Sequence, residues 1–111
     1  MIEIIAKDFM ESHLSVPVYM EYPSKPPERF VVLRKTDSNR ENLVDTAMFV
    51  ADSYAESLLE AAKLNEKVVN VFDNLIELDA ISSSKRGGDY HFPDTQNKRH
   101  RYQAVQNITY Y

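Results

Sequence analysis

Four consecutive apolar residues, Phe30, Val31, Val32 and Leu33, constrain the fold more than any other feature of this chain. They lie between a proline-rich stretch and the polar residues Asp37, Ser38, Asn39 and Arg40. A half-buried strand alternates apolar with polar residues, so a short continuous run bounded by turn formers reads as a strand covered on both faces. Such a strand belongs in the middle of a sheet, with strands beside it and packing above and below.

The flanking segments supply those neighbours. Residues 16–22 are β-rich but contain Pro17 and stop at Pro23. Proline donates no ladder hydrogen bond, which assigns this strand to a sheet edge. Pro26 and Pro27 sit in the turn that follows, within residues 24–28. Downstream, residues 37–40 form a polar turn. Residues 43–51 then alternate, with Val44, Thr46, Met48 and Val50 on one face and Leu43, Asp45, Ala47, Phe49 and Ala51 on the other. A β-hairpin is the simplest join between these two strands.

Two helices are expected to pack on the sheet. Ile2, Ile5, Ala6, Phe9 and Met10 recur at helical spacing, giving a short amphipathic helix that ends near His13, a surface or C-terminal cap residue. Ser53-Tyr54-Ala55-Glu56 fits a capping box and predicts a second helix running to about Ile76. That helix carries two apolar stripes. One holds Ala55, Leu58, Leu59, Ala62, Val69, Phe72 and Ile76; the other holds Ala61, Leu64, Val68, Val71 and Leu75. Together they exceed the one face a sheet buries, so the first helix, a wrapped loop or a neighbouring subunit is expected to cover the remainder.

Residues 78–84 read as a weaker strand and residues 101–111, RYQAVQNITYY, as an aromatic, β-branched closing strand. Between them lies a polar stretch with both glycines of the chain, Gly87 and Gly88. A long structureless loop in a small domain is usually functional or disordered, so residues 84–100 are expected to form a flexible working loop. With 111 residues the chain suits one small domain. The expected class is α+β, a mixed, mainly antiparallel sheet of four or five strands packed by two helices, in the order α-β-β-β-α-β-β.

Composition narrows the function. Without cysteine there is no disulfide framework, zinc finger, iron-sulfur site or thiol nucleophile, and the chain suits a reducing compartment. Its apolar runs fall far short of the about 18 residues of a membrane helix. Glu3 and Asp8 interrupt the first ten residues, unlike a secretory leader, so neither membrane insertion nor export is expected.

Charge is distributed unevenly. Residues 1–40 balance, and residues 41–79 hold nine acids against Lys63 and Lys67. Residues 80–111 set Lys85, Arg86, Lys98, Arg99 and Arg101 against Asp89 and Asp94. Unlike charges of this kind can meet within one molecule or between copies.

No catalytic constellation emerges. There is no nucleophile turn around a serine, and Ser82, Ser83 and Ser84 before His91 read as strand and turn residues. Gly87-Gly88 lacks the further glycines of a phosphate-cradling loop. Asp89, His91, Asp94 and His100 are the only clustered candidate metal ligands and read as solvated loop residues. Pro93-Asp94 has no acid-x-lysine partner of the kind a metal nuclease uses. No enzyme activity and no cofactor are expected. The non-enzymatic alternative is a small nucleic-acid-binding module, in which the five basic residues would meet phosphates while Tyr90, His91, Phe92 and Tyr102 stack on bases. The pI of about 5.3 and the acidic helix oppose it.

From residue 16 onward the sequence resembles the tail-terminator, or tail-completion, proteins of long-tailed bacteriophages. The likeness rests on the V-P-V-Y edge strand and the proline-rich turn before Phe30-Val31-Val32-Leu33-Arg34. It continues with Thr36 leading to Arg40 and Asn42, then Ser53-Tyr54-Ala55, and Glu60-Ala61-Ala62 with Leu64. It spans about half the chain. Relatives often carry paired glycines after Thr36, where this chain has Asp37-Ser38, which leaves the hairpin geometry open. The resemblance implies a small α/β protein forming a homo-hexameric ring on the head-proximal end of the tail tube. There it stops tube growth and meets the head-tail connector protein.

Partners would then be other copies, the tail tube protein and the connector, with nucleic acid present only as DNA passing through the ring. The expected location is the virion tail, after assembly in the host cytoplasm. Lys85, Arg86, Lys98, Arg99, Arg101, Tyr90 and Phe92 are the expected intersubunit or tube contacts. Glu56, Glu60, Glu66, Asp73 and Glu77 are the expected acidic counter-patch.

Overall fold

Residues 30–33 divide their side chains between two packed layers. A computed structural model describes all 111 residues. It orders them as α1 (Ile2–His13), β1 (Val18–Tyr19), β2 (Phe30–Glu41), β3 (Val44–Ala55), α2 (Leu58–Asp73), a short 3-10 turn (Asn74–Glu77), β4 (Ile81–His91) and β5 (His100–Tyr110). The five strands form one sheet in the order β1-β2-β3-β5-β4. Only the β1–β2 pair is parallel. The α+β class, the element order and the mixed, mainly antiparallel sheet are those the sequence predicts.

The helices lie on one side. Val31 and Leu33, with Ala47, Phe49, Ala51, Ala104 and Ile108, face Ile2, Ala6, Phe9 and Met10 of α1 and Leu64, Val68 and Phe72 of α2 in the main core. On the opposite face Phe30 and Val32 pack with Tyr54, Tyr19 and Tyr22 in a second, smaller cluster. Phe30 stacks on Tyr54 at 4.5 Å, and Tyr22 meets both rings edge-on. Two-sided burial of the apolar run follows from these two clusters.

Several boundaries differ from the sequence reading. Ser53 does not cap a helix. It stays in β3, paired with Val31, and the cap is Ser57, whose side chain accepts from the Glu60 amide at 3.2 Å. The sequence holds two consecutive S-x-x-E signals, Ser53–Glu56 and Ser57–Glu60, and sheet pairing through Ala55 selects the later one. On α2 the stripe Ala61, Leu64, Val68 and Val71 is buried, as are Val69 and Phe72, whereas Leu58 and Leu59, and Ile76 in the 3-10 turn beyond its end at Asp73, remain exposed.

The β2–β3 turn also moves. Asp37, Ser38, Asn39 and Arg40 remain in β2 beyond a bulge between Lys35 and Asp37. The chain reverses at Asn42 and Leu43, with φ of 52° and 65°. Two positive φ angles make the mirror-image turn whose twist matches that of paired strands. Asparagine tolerates this conformation; a leucine there carries a penalty of roughly 1–2 kcal/mol.

Residues 84–100 are not one flexible loop. Strand β4 runs through His91 and pairs with β5, so the connection contracts to residues 92–99, itself pinned by the Asp94–Arg99 bridge. The paired glycines explain why a polar stretch can be a strand. A Cβ at Gly87 would lie 2.9 Å from Val105 Cγ1, and Gly88 adopts φ of 110° where the register shifts between Arg86 and Gly88. They form a β-bulge, which bends an edge strand without ending it.

Candidate functional site

The helix-free face of the sheet carries an open groove of about 590 Å3 at the proline-bearing end of β2. Its walls are Met20 and Tyr22 on one side and the 92–97 turn on the other, over a floor that includes Arg34, Asp52 and Tyr54. The alternation of β2 and β3 brings these floor residues together, because Arg34 and Val32 share a face of β2 while Asp52 lies opposite Val32 in the ladder.

The floor is a linked polar network. Asp52, only 3% exposed, accepts from Arg34 Nη2 at 3.0 Å and from Gln103 Nε2 at 2.9 Å. The Tyr90 hydroxyl donates in turn to the Gln103 side-chain oxygen. Beside it, the buried Asp94 carboxylate accepts from the Tyr54 hydroxyl at 3.1 Å and from the backbone and side chain of Asn97 at 3.1 and 2.8 Å. Arg101 donates to Tyr54 Oη at 3.2 Å and to the Phe92 carbonyl at 2.7 Å, and its guanidinium lies 4.4 Å from the Phe92 ring centre.

Burial sets the ionisation of these groups. Burial pushes the Tyr54 hydroxyl up to about 12 against the pull of Arg101. Burial also opposes ionisation of Asp94, yet the Asn97 hydrogen bonds, the Tyr54 hydroxyl and the Arg101 charge together hold its carboxyl below the ordinary value. Asp94 is thus an anion whose acceptor positions are taken, and Tyr54 a neutral donor already engaged. Arg34, with a side chain 46% exposed and one nitrogen on Asp52, keeps free N–H groups at the groove. Together with the exposed Met20 and Phe92, it suits recognition of a carboxylate beside an aliphatic group.

The residues nominated from sequence are split between surfaces. Arg101, Phe92 and Tyr90 meet at or beside the groove, the two aromatic rings packing edge-on at 6.0 Å. Arg99 donates to the Glu28 carbonyl at 2.6 Å and covers the Phe30 ring. Arg86 turns to the helix side, 2.8 Å from Asp73, and its hydrogen bond lowers the Asp73 carboxyl below its ordinary value. Lys85 and Lys98 are exposed. Of the acidic set, Glu56 binds Arg29 through a 2.9 Å contact that holds its carboxyl at about 2, and Glu60 approaches the same guanidinium at 3.5 Å. Glu66 and Glu77 are exposed. The acidic and basic segments therefore meet within one molecule at Asp73 and Arg86.

Asp89, His91, Asp94 and His100 are not drawn to one centre. Asp89 accepts from Asn65 at 2.6 Å, Asp94 is committed as above, and His91 packs against Tyr102. The groove residues Arg34, Asp52, Tyr54 and Gln103 escaped the sequence reading. Asp52 and Tyr54 flank Ser53, whose S-x-x-E pattern with Glu56 reads as a helix start and so hides the strand that places them. A scan against protein-family models and a search of curated proteins give no match to this chain.

Proposed function

We propose that this protein is a structural tail-terminator-like component of a bacteriophage, which assembles into a ring on the head-proximal end of the tail tube. In this reading it halts tube growth, joins the tail to the connector, and works through shape and contact without turnover. The observation that carries it is the coincidence of the resembling segments with the architecture. The V-P-V-Y segment supplies the two-residue edge strand β1, and Phe30–Arg34 lies beside it in β2. The segment Ser53-Tyr54-Ala55 closes β3, and Glu60-Ala61-Ala62 opens α2.

The charged network supports the same reading by its economy. Arg86, Arg99 and Arg101 are engaged within the chain, which leaves Lys85 and Lys98 as the exposed cations of the basic segment without a partner. So sparse a set is weak for nucleic acid, whose affinity grows with each neutralised phosphate. Electron microscopy of the protein mixed with purified long-tailed phage tail tubes tests the proposal. A ring at one end of each tube is the expected result. Bare ends, or instead a steeply salt-dependent affinity for oligonucleotides, would overturn it.

A further inference from the structure

We propose that the tip of the β2–β3 hairpin is the plug of a head-to-tail contact between copies of this chain, and that its socket is the groove of the next copy. This rests on the self-assembly part of the proposed function and assigns the two unlike surfaces that a closing ring requires.

The plug is marked by a cost without a return inside its own molecule. Leu43 holds a positive φ and is 86% exposed, and Val44 beside it is also exposed. Glycine would make the same turn without penalty. Strain retained at an exposed apolar side chain points to a use outside the chain. Next to it Glu41 is exposed and enters no ion pair, whereas Arg40 is satisfied by Asp45 at 2.9 Å. The tip thus offers an aliphatic pair and a free carboxylate.

The socket offers the complement. Arg34 presents free N–H groups at the groove, and Met20 and Phe92 give it an apolar rim. A carboxylate two residues before an exposed leucine matches a guanidinium beside that rim. Glu41 is seven residues beyond Arg34 on the same extended strand, roughly 23 Å away, so tip and groove cannot meet within one copy. Between copies they join unlike ends. Continuation of the sheet edge to edge is disfavoured: at one edge β1 is only two residues long and the part of β2 beyond it is bulged and charged, and at the other edge β4 carries bulges and charged residues.

The chain has no cysteine, so introduced thiols report proximity cleanly. In concentrated solution under mild oxidation, mixing the Met20→Cys and Leu43→Cys variants should give a disulfide-linked dimer. A chain carrying both substitutions should give a ladder extending beyond the dimer on a non-reducing gel. Absence of the mixed cross-link, or a ladder that stops at the dimer, would overturn the head-to-tail contact. Leu43→Gly supplies a second readout. It should raise the Tm of the dilute protein by about 4 °C and reduce association at least tenfold; unchanged association would reject the plug. Tubes capped without the cross-link would sink this inference alone, whereas the cross-link without capping would sink the tail-terminator reading alone.

Discussion

The two ends of the sheet handle the same kinds of residue in opposite ways. At the proline-bearing end aromatic rings and charges are locked together: Phe30 on Tyr54, Asp94 on Tyr54 and Asn97, Arg101 over Phe92. At the hairpin end Leu43 stands in water on a strained turn, and Glu41 has no cation. Strands β2 and β3 run through both, so the difference comes from what covers them. One end is covered by residues 19–22 and the 92–99 connection; the other has no second layer on the helix-free face. A side chain's commitment is set by the layer above it more than by its own chemistry.

The contrast can be broken from its closed end. Phe30→Ala should cost about 3–5 kcal/mol in denaturant unfolding, because it empties a fully buried site beneath Tyr54 and Arg99. A loss under 1 kcal/mol would mean that the second cluster is not a core. Asp94→Asn should cost about 1–3 kcal/mol by weakening the acceptor shared by Tyr54, Asn97 and Arg101. Its pH dependence has a definite sign. The folded carboxyl is held below the unfolded value, so its stabilisation is present above about pH 4 and is lost as pH falls through the folded pKa. Acid unfolding of the Asn variant should lack that contribution, as Tm measured from pH 2 to 7 would reveal.

Smaller effects sharpen the comparison at the β4 edge. Gly88→Ala should cost about 1–2 kcal/mol, because a Cβ there meets no neighbour but must adopt φ of 110°. A neutral result would mean that the bulge relaxes. Lys85→Glu and Lys98→Glu should leave Tm within error while altering assembly on tail tubes, since both side chains are exposed and lack an ion pair. A drop in Tm would reveal a folding role for these lysines.

The fold was more legible in the sequence than the site. Helix α1, the edge position of β1 and the two-sided burial of β2 follow from local pattern, because proline geometry and apolar periodicity act over a few residues. The groove was not legible. Arg34, Asp52, Gln103 and Asp94 lie far apart in the chain, and each is unremarkable where it stands. The exposed tip was hidden for a related reason: Asn42-Leu43 lacks glycine, so the polar residues 37–40 offered the stronger turn signal.

Residue order alone determined that α1 coils, that residues 30–33 and 44–51 extend and that β1 keeps to the edge, since those choices depend on hydrogen-bond donors and on the spacing of apolar side chains. Tertiary pairing decided the rest. The long β3–β5 ladder overrode a capping signal at Ser53, and the Gly87-Gly88 bulge turned a polar stretch into a strand. Pairing also chose which charges were neutralised at home, as with Arg86 and Asp73, and which, like Glu41, were left without an ion pair. The physical reason is that a ladder hydrogen bond or an ion pair exists only once distant residues have been brought within about 3 Å.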